Sequence, residues 1–410
     1  AAFAAFTAAL LISQYYRTAM ALMAPVLADE MGLTADRLGI LAATYFLSFA
    51  AMQLPVGMLL DRFGPRRTAA SLMAVAVAGC AAFAFASGFP ALLLGQVLIG
   101  AGTAAGFTGG IVICARWFSA RRAASMTGLM LGLGNLGGIV AATPLALALG
   151  SWGWRATTLA MGGAILAVAA VILAVVRDAP PGHPARTRKP EALRQILTGL
   201  GQVLRTAEVW RLMALAFVGF ASVMVVRGLW GGPYLIDVHG LDPVASGNIL
   251  LAMSLGVIAG AIGYGLLEQP FDRRRDIALA GGGILALAFG ALAMWPQPPL
   301  WLVTGAFMVI GACGQTYVII LAHGRANFAD RLVGRAVTTL NMAAFLGTAT
   351  LQATSGWIVR GFQLPDGHIP EQGYRWLYAF LALTVLLALA VYSTSKEARP
   401  SEDATRPRIG

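Results

Sequence analysis

Apolar residues run along this chain in long blocks, and charged residues are largely confined to the short gaps between them. Apolar stretches fall near 3–28, 38–60, 68–87, 91–115, 123–149, 156–176, 211–236, 245–267, 277–295, 299–322, 335–358 and 375–394. A hydrocarbon core about 30 Å thick takes about 20 helical residues, and each stretch is long enough. None alternates with period two, so a membrane barrel does not fit, and a segment that must satisfy its own backbone in lipid can then only be a helix. The pattern predicts an all-α membrane protein of twelve transmembrane helices. The first stretch is too long for a signal peptide and carries Arg17 in its middle, so it reads as a span and not as a cleaved leader.

Composition agrees, with 58% hydrophobic and 11% charged residues and a mean hydropathy of +0.74. With both termini placed in the cytoplasm, 23 of the 29 Lys and Arg fall in cytoplasmic segments. Four (Arg37, Arg155, Arg360 and Arg375) lie outside and two within the membrane. The positive-inside rule then sets the orientation and accounts for the net charge of +11. The charges are spread over six short segments without stacking aromatics, which argues against a nucleic-acid partner. The expected setting is a plasma membrane of the bacterial inner-membrane type, with the bilayer around a monomer that spans it many times. Cys80, Cys114 and Cys313 lie within apolar spans without metal or disulfide spacing, and the methionines are dispersed. No nucleophile–base pair or metal cluster suggests an enzyme, a metal site or a cofactor.

Residues 178–208 are Pro-rich and basic and divide six spans from six. The expected organisation is an N-terminal six-helix bundle at 1–177, a cytoplasmic linker at 178–208, a C-terminal bundle at 209–395 and a cytoplasmic tail at 396–410. At an offset of 208 residues, Pro25 pairs with Pro233, Gly32 with Gly240, Gly39 with Gly247 and Gly57 with Gly265. Phe63 likewise pairs with Phe271, and Arg66 and Arg67 with Arg274 and Arg275. A parallel repeat of two six-helix units, with a substrate site near the midplane, is a transporter architecture.

Between spans 2 and 3 lie Gly57, Asp61, Arg62, Gly64, Pro65, Arg66 and Arg67. This spacing resembles the loop signature of the major facilitator superfamily, with Pro65 where a basic residue is more usual, and the whole chain resembles that superfamily. The resemblance implies two pseudo-symmetric bundles and a conformational latch made of Gly57, Asp61, Arg62, Gly64, Arg66 and Arg67. Physically, Gly57 would let two helices approach, and Asp61 could pair with basic groups or helix ends. Gln269 and Pro270 stand opposite Asp61 and Arg62 in the repeat, so the latch is expected to be one-sided.

Gln96 in span 4 occupies a position where many proton-coupled drug exporters of the superfamily carry arginine. Arg116, Trp117 and Phe118, with Arg121 and Arg122, resemble a cytoplasmic loop of the anion-transporting branches. Span 5 contains Gly128, Gly132, Gly134, Gly137 and Gly138. Its Gly132–Gly137 string matches a dinucleotide fingerprint in form only, since no strand precedes it. Small residues at that density permit close helix approach. The segment resembles span 5 of nitrate carriers, but those use arginines in spans 2 and 8, which the apolar stretches here lack; this argues against nitrate.

Arg17 and Arg227 sit deep in spans 1 and 7, whereas all 18 Asp and Glu fall in loops or at helix ends. Arg17 precedes Asp29 by about 18 Å of helix and Arg227 precedes Asp237 by about 15 Å. A charge at such depth costs at least about 2.5–3.5 kcal/mol, which is why it usually faces a wet pathway. A guanidinium fork suits carboxylate or phosphate. The pair resembles the organophosphate:phosphate exchangers, and the resemblance makes Arg17 and Arg227 the ends of an anion clamp. At offset 208 the two are two residues out of register, and the glycines after Arg227 could unwind span 7 to compensate. Supporting candidates are Gln14, Tyr15 and Tyr16 in span 1, Tyr45 in span 2, Trp230 and Tyr234 in span 7, and Gln315 and Tyr317 in span 10. Asn135 and Asn341 read as interhelical hydrogen-bond formers, and His323 as a surface, gate or relay group at the cytoplasmic end of span 10.

The resulting expectation is a secondary transporter that moves a small organic or phosphorylated anion by alternating access, by symport, antiport or uniport. A drug or metallophore exporter of the same fold is the alternative. A transport-fold ligand receptor is the alternative of another class.

Overall fold

The computed structural model describes residues 1–180 and 193–402, which hold helices and no β-strand. Span 1 consists of α1 (Ala2–Thr18) and α2 (Met20–Met31), and span 2 runs through α3 (Ala35–Ala51) into α4 (Gln53–Ala84). Gly64 breaks α4 with φ 80° and ψ 164°, and the remainder of that helix is span 3. Then follow α5 (Phe89–Thr103) with α6 (Ala105–Trp117), α7 (Ala120–Gly134) with α8 (Leu136–Val140), and α9 (Thr143–Val175), which Gly153 breaks at φ 73°. The second half runs through α10 (Leu193–Leu204), α11 (Ala207–Val225), a π turn (Val226–Trp230), α12 (Gly231–His239), α13 (Pro243–Phe271) and α14 (Arg274–Met294). It continues through α15 (Leu300–Cys313), α16 (Thr316–Asn327), α17 (Asp330–Arg360) and α18 (Glu371–Tyr392). Eight of these helical stretches are long and apolar enough to cross a membrane. Much of the expected linker, residues 181–192, and the end of the tail, 403–410, lie outside the described residues; α10 falls within the linker range.

The sequence repeat is also a backbone repeat. Gly32 and Gly240, paired at offset 208, end α2 and α12 in the left-handed conformation at φ 61° and 64°, as a helix-terminating glycine does. Gly64 and Asp272 are mates at the same offset, and both have positive φ. Aspartate tolerates that region, so the second copy turns its corner without a glycine.

The chain clusters into two compact units. One holds Ala1–Leu33 and Thr44–Glu191, the other Thr34–Ala43 and Ala192–Gly410. In the first unit α1 packs on α6, α7 and α8. A Cβ on Gly137 would stand 2.0 Å from the Leu11 carbonyl oxygen, and one on Gly134 2.5 Å from Leu10. These two glycines create the close approach expected of span 5. Gly128 and Gly132 have open space around them, so their lack of a side chain makes no contact possible. In the second unit the start of α3 lies on α17. A Cβ on Gly39 would stand 2.7 Å from the Gln352 carbonyl, Asp36 is 3.6 Å from the Arg360 guanidinium, and the Ala35 N–H donates to Gln363 Oε1 at 3.0 Å.

Within each unit the third span starts under a carboxylate that follows the sixth. After the break at Gly64, Pro65 takes the first helical position and the Arg66 N–H donates to Asp178 Oδ1 at 2.7 Å. Asp178 stands just beyond the end of α9. A Cβ on Gly64 would come within 2.4 Å of that carboxylate, which is why the corner holds glycine. Arg66 also donates to the Leu173 carbonyl, Arg116 to the Asp178 carbonyl at 3.4 Å and Trp117 to the Arg177 carbonyl at 3.1 Å. The loop arginine and tryptophan thus close the carbonyl end of span 6.

In the second unit the Arg275 N–H donates to Glu397 Oε1 at 3.0 Å, from the segment after α18. Ser401 donates to Asp272 through both its N–H and its hydroxyl. His323 is fully buried, and so is not at a surface. It bonds the Tyr392 hydroxyl and the Lys396 carbonyl, each at 2.8 Å, while buried Glu208 accepts the Lys396 N–H at 2.9 Å. The described part of the tail is therefore strapped to its own bundle.

Two expectations for the loop signature change. Gly57 has nothing within 4 Å of where a Cβ would stand, so it does not mark a close helix approach in this structure. The second copy does retain an acid: Glu268, one position before Gln269, pairs with buried Arg274 at 2.7 Å.

The glycine geometry separates positions within one span. Gly137→Ala should collapse the yield of folded protein, whereas Gly128→Ala and Gly132→Ala should leave it intact or raise stability by up to about 1 kcal/mol per site; thermal unfolding in detergent measures both. The strap should respond to acid. Its Ser401 bonds hold the Asp272 carboxyl below the usual carboxylate range. A pKa depressed by folding stabilises above the unfolded value and loses that stabilisation as pH falls through the folded one. Protection of the amides over 393–402, taken relative to their intrinsic exchange rate at each pH, should therefore fall towards pH 3, and Asp272→Asn should show reduced protection already at neutral pH.

Candidate functional site

In the first unit Arg17 closes the last turn of α1 and is 9% exposed. Its guanidinium donates to Ser13 Oγ at 3.4 Å and lies 4.7 Å from the centroid of the Phe49 ring, a cation–π geometry. Ser13 is one helical turn earlier, on the same face. Its carbonyl accepts from the Tyr45 hydroxyl at 3.3 Å, and that hydroxyl also bonds Thr103 Oγ1 at 3.0 Å. Arg17, Ser13, Tyr45, Phe49 and Thr103 therefore form one polar cluster built from α1, α3 and α5.

The other span 1 candidates point elsewhere, because consecutive helical residues are about 100° apart. Gln14 donates to Asn135 Oδ1 at 2.6 Å, toward the junction of α7 and α8. Tyr16 shares a hydrogen bond of 3.0 Å with Cys80 Sγ in α4. Tyr15 is buried and edge-on to Tyr16, with ring centroids 5.2 Å apart.

In the second unit Arg227 is 5% exposed and lies inside the π turn, where Nε and Nη2 both donate to Ser254 Oγ of α13 at 3.4 and 3.3 Å. Such a turn takes in about one extra residue relative to an α-helix, and turns of this kind concentrate at functional sites. It therefore absorbs about one of the two residues by which Arg227 is out of register with Arg17, a rotation of about 100°. Span 7 is widened at this point and not unwound.

Trp230, at the end of the same turn, donates its indole N–H to Ser355 Oγ at 2.8 Å, and Ser355 donates to the Gln352 carbonyl at 2.7 Å. Tyr234 is packed edge-on among Tyr374 and Tyr378, with centroids 5.4 and 5.3 Å away, and its hydroxyl bonds His239 Nε2 at 3.3 Å. Tyr317 donates to Asn341 Oδ1 at 2.6 Å and meets the Phe220 ring. Gln315 is half-buried at the junction of α15 and α16. Both Asn135 and Asn341 make interhelical bonds, as their positions in spans 5 and 11 suggest.

Span 7 departs from α-helical geometry in its π turn, whereas Ala19 in span 1, Ala104 in span 4 and Gly314 in span 10 keep right-handed helical backbone angles. Ser13, Phe49, Thr103, Ser254 and Ser355 join the predicted residues here. A hydroxyl in an apolar run is the weak signal that four of them carry, and Phe49 carries none.

Of the residues expected to form a latch, Asp61, Arg62, Arg66 and Arg67 are exposed, and the Arg62 guanidinium lies 5.3 Å from the Phe63 ring centroid. Among the described residues no group of three or more His, Cys, Asp or Glu is arranged to hold a metal ion.

The hexuronate transporter of Escherichia coli strain K12 is 23% identical over 408 residues, 94% of this chain and 91% of that protein. The probable nitrate/nitrite transporter NarK2 of Mycobacterium tuberculosis strain H37Rv is 29% identical over 296 residues, 70% of each. Among solved structures, a bacterial homolog of the human lysosomal transporter Spinster superposes with a TM-score of 0.78 at 17% identity, covering 95% of both chains. The relatives and structural neighbours are transporters, and no comparison points to an enzyme. A family model of the Major Facilitator Superfamily matches residues 5–323 and 232–409, nearly the whole of this multi-pass membrane protein. The chain is a transporter and belongs to that superfamily.

Proposed function

We propose that this transporter carries a small organic anion by alternating access, with Arg17 and Arg227 as its charge-recognising ligands. The observation that supports this is one buried guanidinium at mid-span in each unit, each bonded to a serine hydroxyl at 3.3–3.4 Å, with Arg227 inside the π turn. Hydrogen bonds of that length are at the weak end of the range. A carboxylate or phosphate accepting two parallel N–H bonds makes shorter, charge-assisted ones and would displace the hydroxyls. The cargoes named for two relatives, hexuronate and nitrate, have little in common beyond negative charge. Nitrate fits less well, because the apolar parts of spans 2 and 8 contain no arginine.

Phe49, Tyr45 and Thr103 would serve the first arginine, and Ser254 and Trp230 the second. Gln14, Tyr16 and Tyr317 are engaged with helix neighbours and would act by setting those helices in place. The distribution of Lys and Arg favours both termini in the cytoplasm of a bacterial cell. On this reading the exposed loop of Asp61, Arg62, Arg66 and Arg67 is the cytoplasmic latch.

Counterflow of labelled small carboxylates and phosphates in proteoliposomes tests the assignment. Arg17→Ala and Arg227→Ala should each lower counterflow at least about 100-fold, the scale of losing one charge-assisted contact of about 3 kcal/mol. Lysine replacements should recover little, since a point charge does not reproduce the fork. Melting temperature and yield should stay near those of the parent. Normal counterflow in both alanine variants would mean that the anion is recognised elsewhere.

A further inference from the structure

We infer that Gln352 and Ser355 are positioning residues: from span 11 they grip the π turn of span 7 on either side of Arg227 and fix where its guanidinium stands. The turn closes through the Gly231 N–H, which donates to the Val226 carbonyl five residues back. A Cβ on Gly231 would stand 2.8 Å from that same oxygen, so the closing position needs glycine. Such turns are rare, and one residue of slip in a helix rotates the side chains beyond it by about 100°. Arg227 would then face away from Ser254, so its place depends on what holds the turn in register.

Span 11, here α17, supplies the hold. Gln352 and Ser355 are both fully buried and stand three residues apart, on one face of that helix. Gln352 Nε2 donates to the Met224 carbonyl at 3.2 Å, two residues before the turn begins. Ser355 gives its hydroxyl proton to the Gln352 carbonyl and accepts the indole N–H of Trp230, the last residue of the turn. The two bonds to span 7 therefore bracket Arg227, with Met224 three residues before it and Trp230 three after. Among the described residues Gln352 Oε1 is buried and finds no donor. Turning the carboxamide over would set that oxygen against the Met224 carbonyl, and an apolar side chain of the same shape would leave no such acceptor unmet. The glutamine is thus explained by its donor end, which is the end on span 7.

This role rests on Arg227 being an anion ligand, but the grip is measured without any anion. In the full chain carrying isotope-labelled arginine, the Nε–H resonances of Arg227 and Arg17 are identified by their loss in Arg227→Lys and Arg17→Lys. Gln352→Met and Ser355→Ala should each raise solvent exchange of the Arg227 Nε–H about tenfold, the scale of one hydrogen bond lost from the grip. The Arg17 resonance, in the other unit, and the melting temperature should stay near those of the parent. Ser355→Thr keeps the hydroxyl and should keep the slow exchange. If one of the two disruptive variants fails to fold, the other carries the same expectation. Unchanged Arg227 exchange in the folded variants, or an equal rise at Arg17, would overturn the grip. Normal counterflow in Arg227→Ala beside a responsive Arg227 resonance would leave the grip standing and remove only the anion.

Discussion

A backbone N–H or C=O inside hydrocarbon has no water to bond, and the architecture follows from that constraint. It makes every span a helix, and it also governs what happens where a helix must stop or bend. The π turn in span 7 accommodates an additional residue while keeping a helical hydrogen-bond pattern, so a register change is absorbed without exposing peptide groups to lipid. At the span ends the orphan groups are met by side chains that arrive from far along the chain. Asp178 meets the Arg66 N–H in the first turn of span 3, Glu397 the Arg275 N–H in the first turn of span 9, and Arg66 the Leu173 carbonyl in the last turn of span 6, while Arg116 and Trp117 meet the Asp178 and Arg177 carbonyls just beyond it.

The same constraint sets the cost of the two mid-span arginines. A guanidinium brings five donors into a region that supplies few acceptors. The chain meets part of that demand with serine hydroxyls and, at Arg17, with the face of Phe49.

The spans were legible in the sequence because an apolar run is a local, additive signal. The repeat was legible because glycine and proline punctuate corners, and Gly32 and Gly240 share one left-handed geometry as that reading implies. The arginines were legible because charge in an apolar run is conspicuous. Their neighbours were not. Four consecutive residues, Gln14 to Arg17, cannot share a helical face, and only the tertiary packing shows that Arg17 shares its surroundings with Ser13 and Tyr45 while Gln14 and Tyr16 point away. The carboxylate caps were invisible for a different reason: 112 residues separate Arg66 from Asp178 and 122 separate Arg275 from Glu397, and no short motif links them. Glu268 shows a limit of fixed-offset alignment, since a displacement of one position was enough to make an acid look lost.

The strap formed by Lys396, Glu397 and Ser401 has a consequence for handling the protein. A stop codon placed at the natural-looking end of α18 would remove the cap of a helix more than a hundred residues away, and a purification tag fused there would compete with it. A fusion joint beyond Ser401 keeps the second bundle's closing element in place, so the end of the last span is not the end of the folded unit.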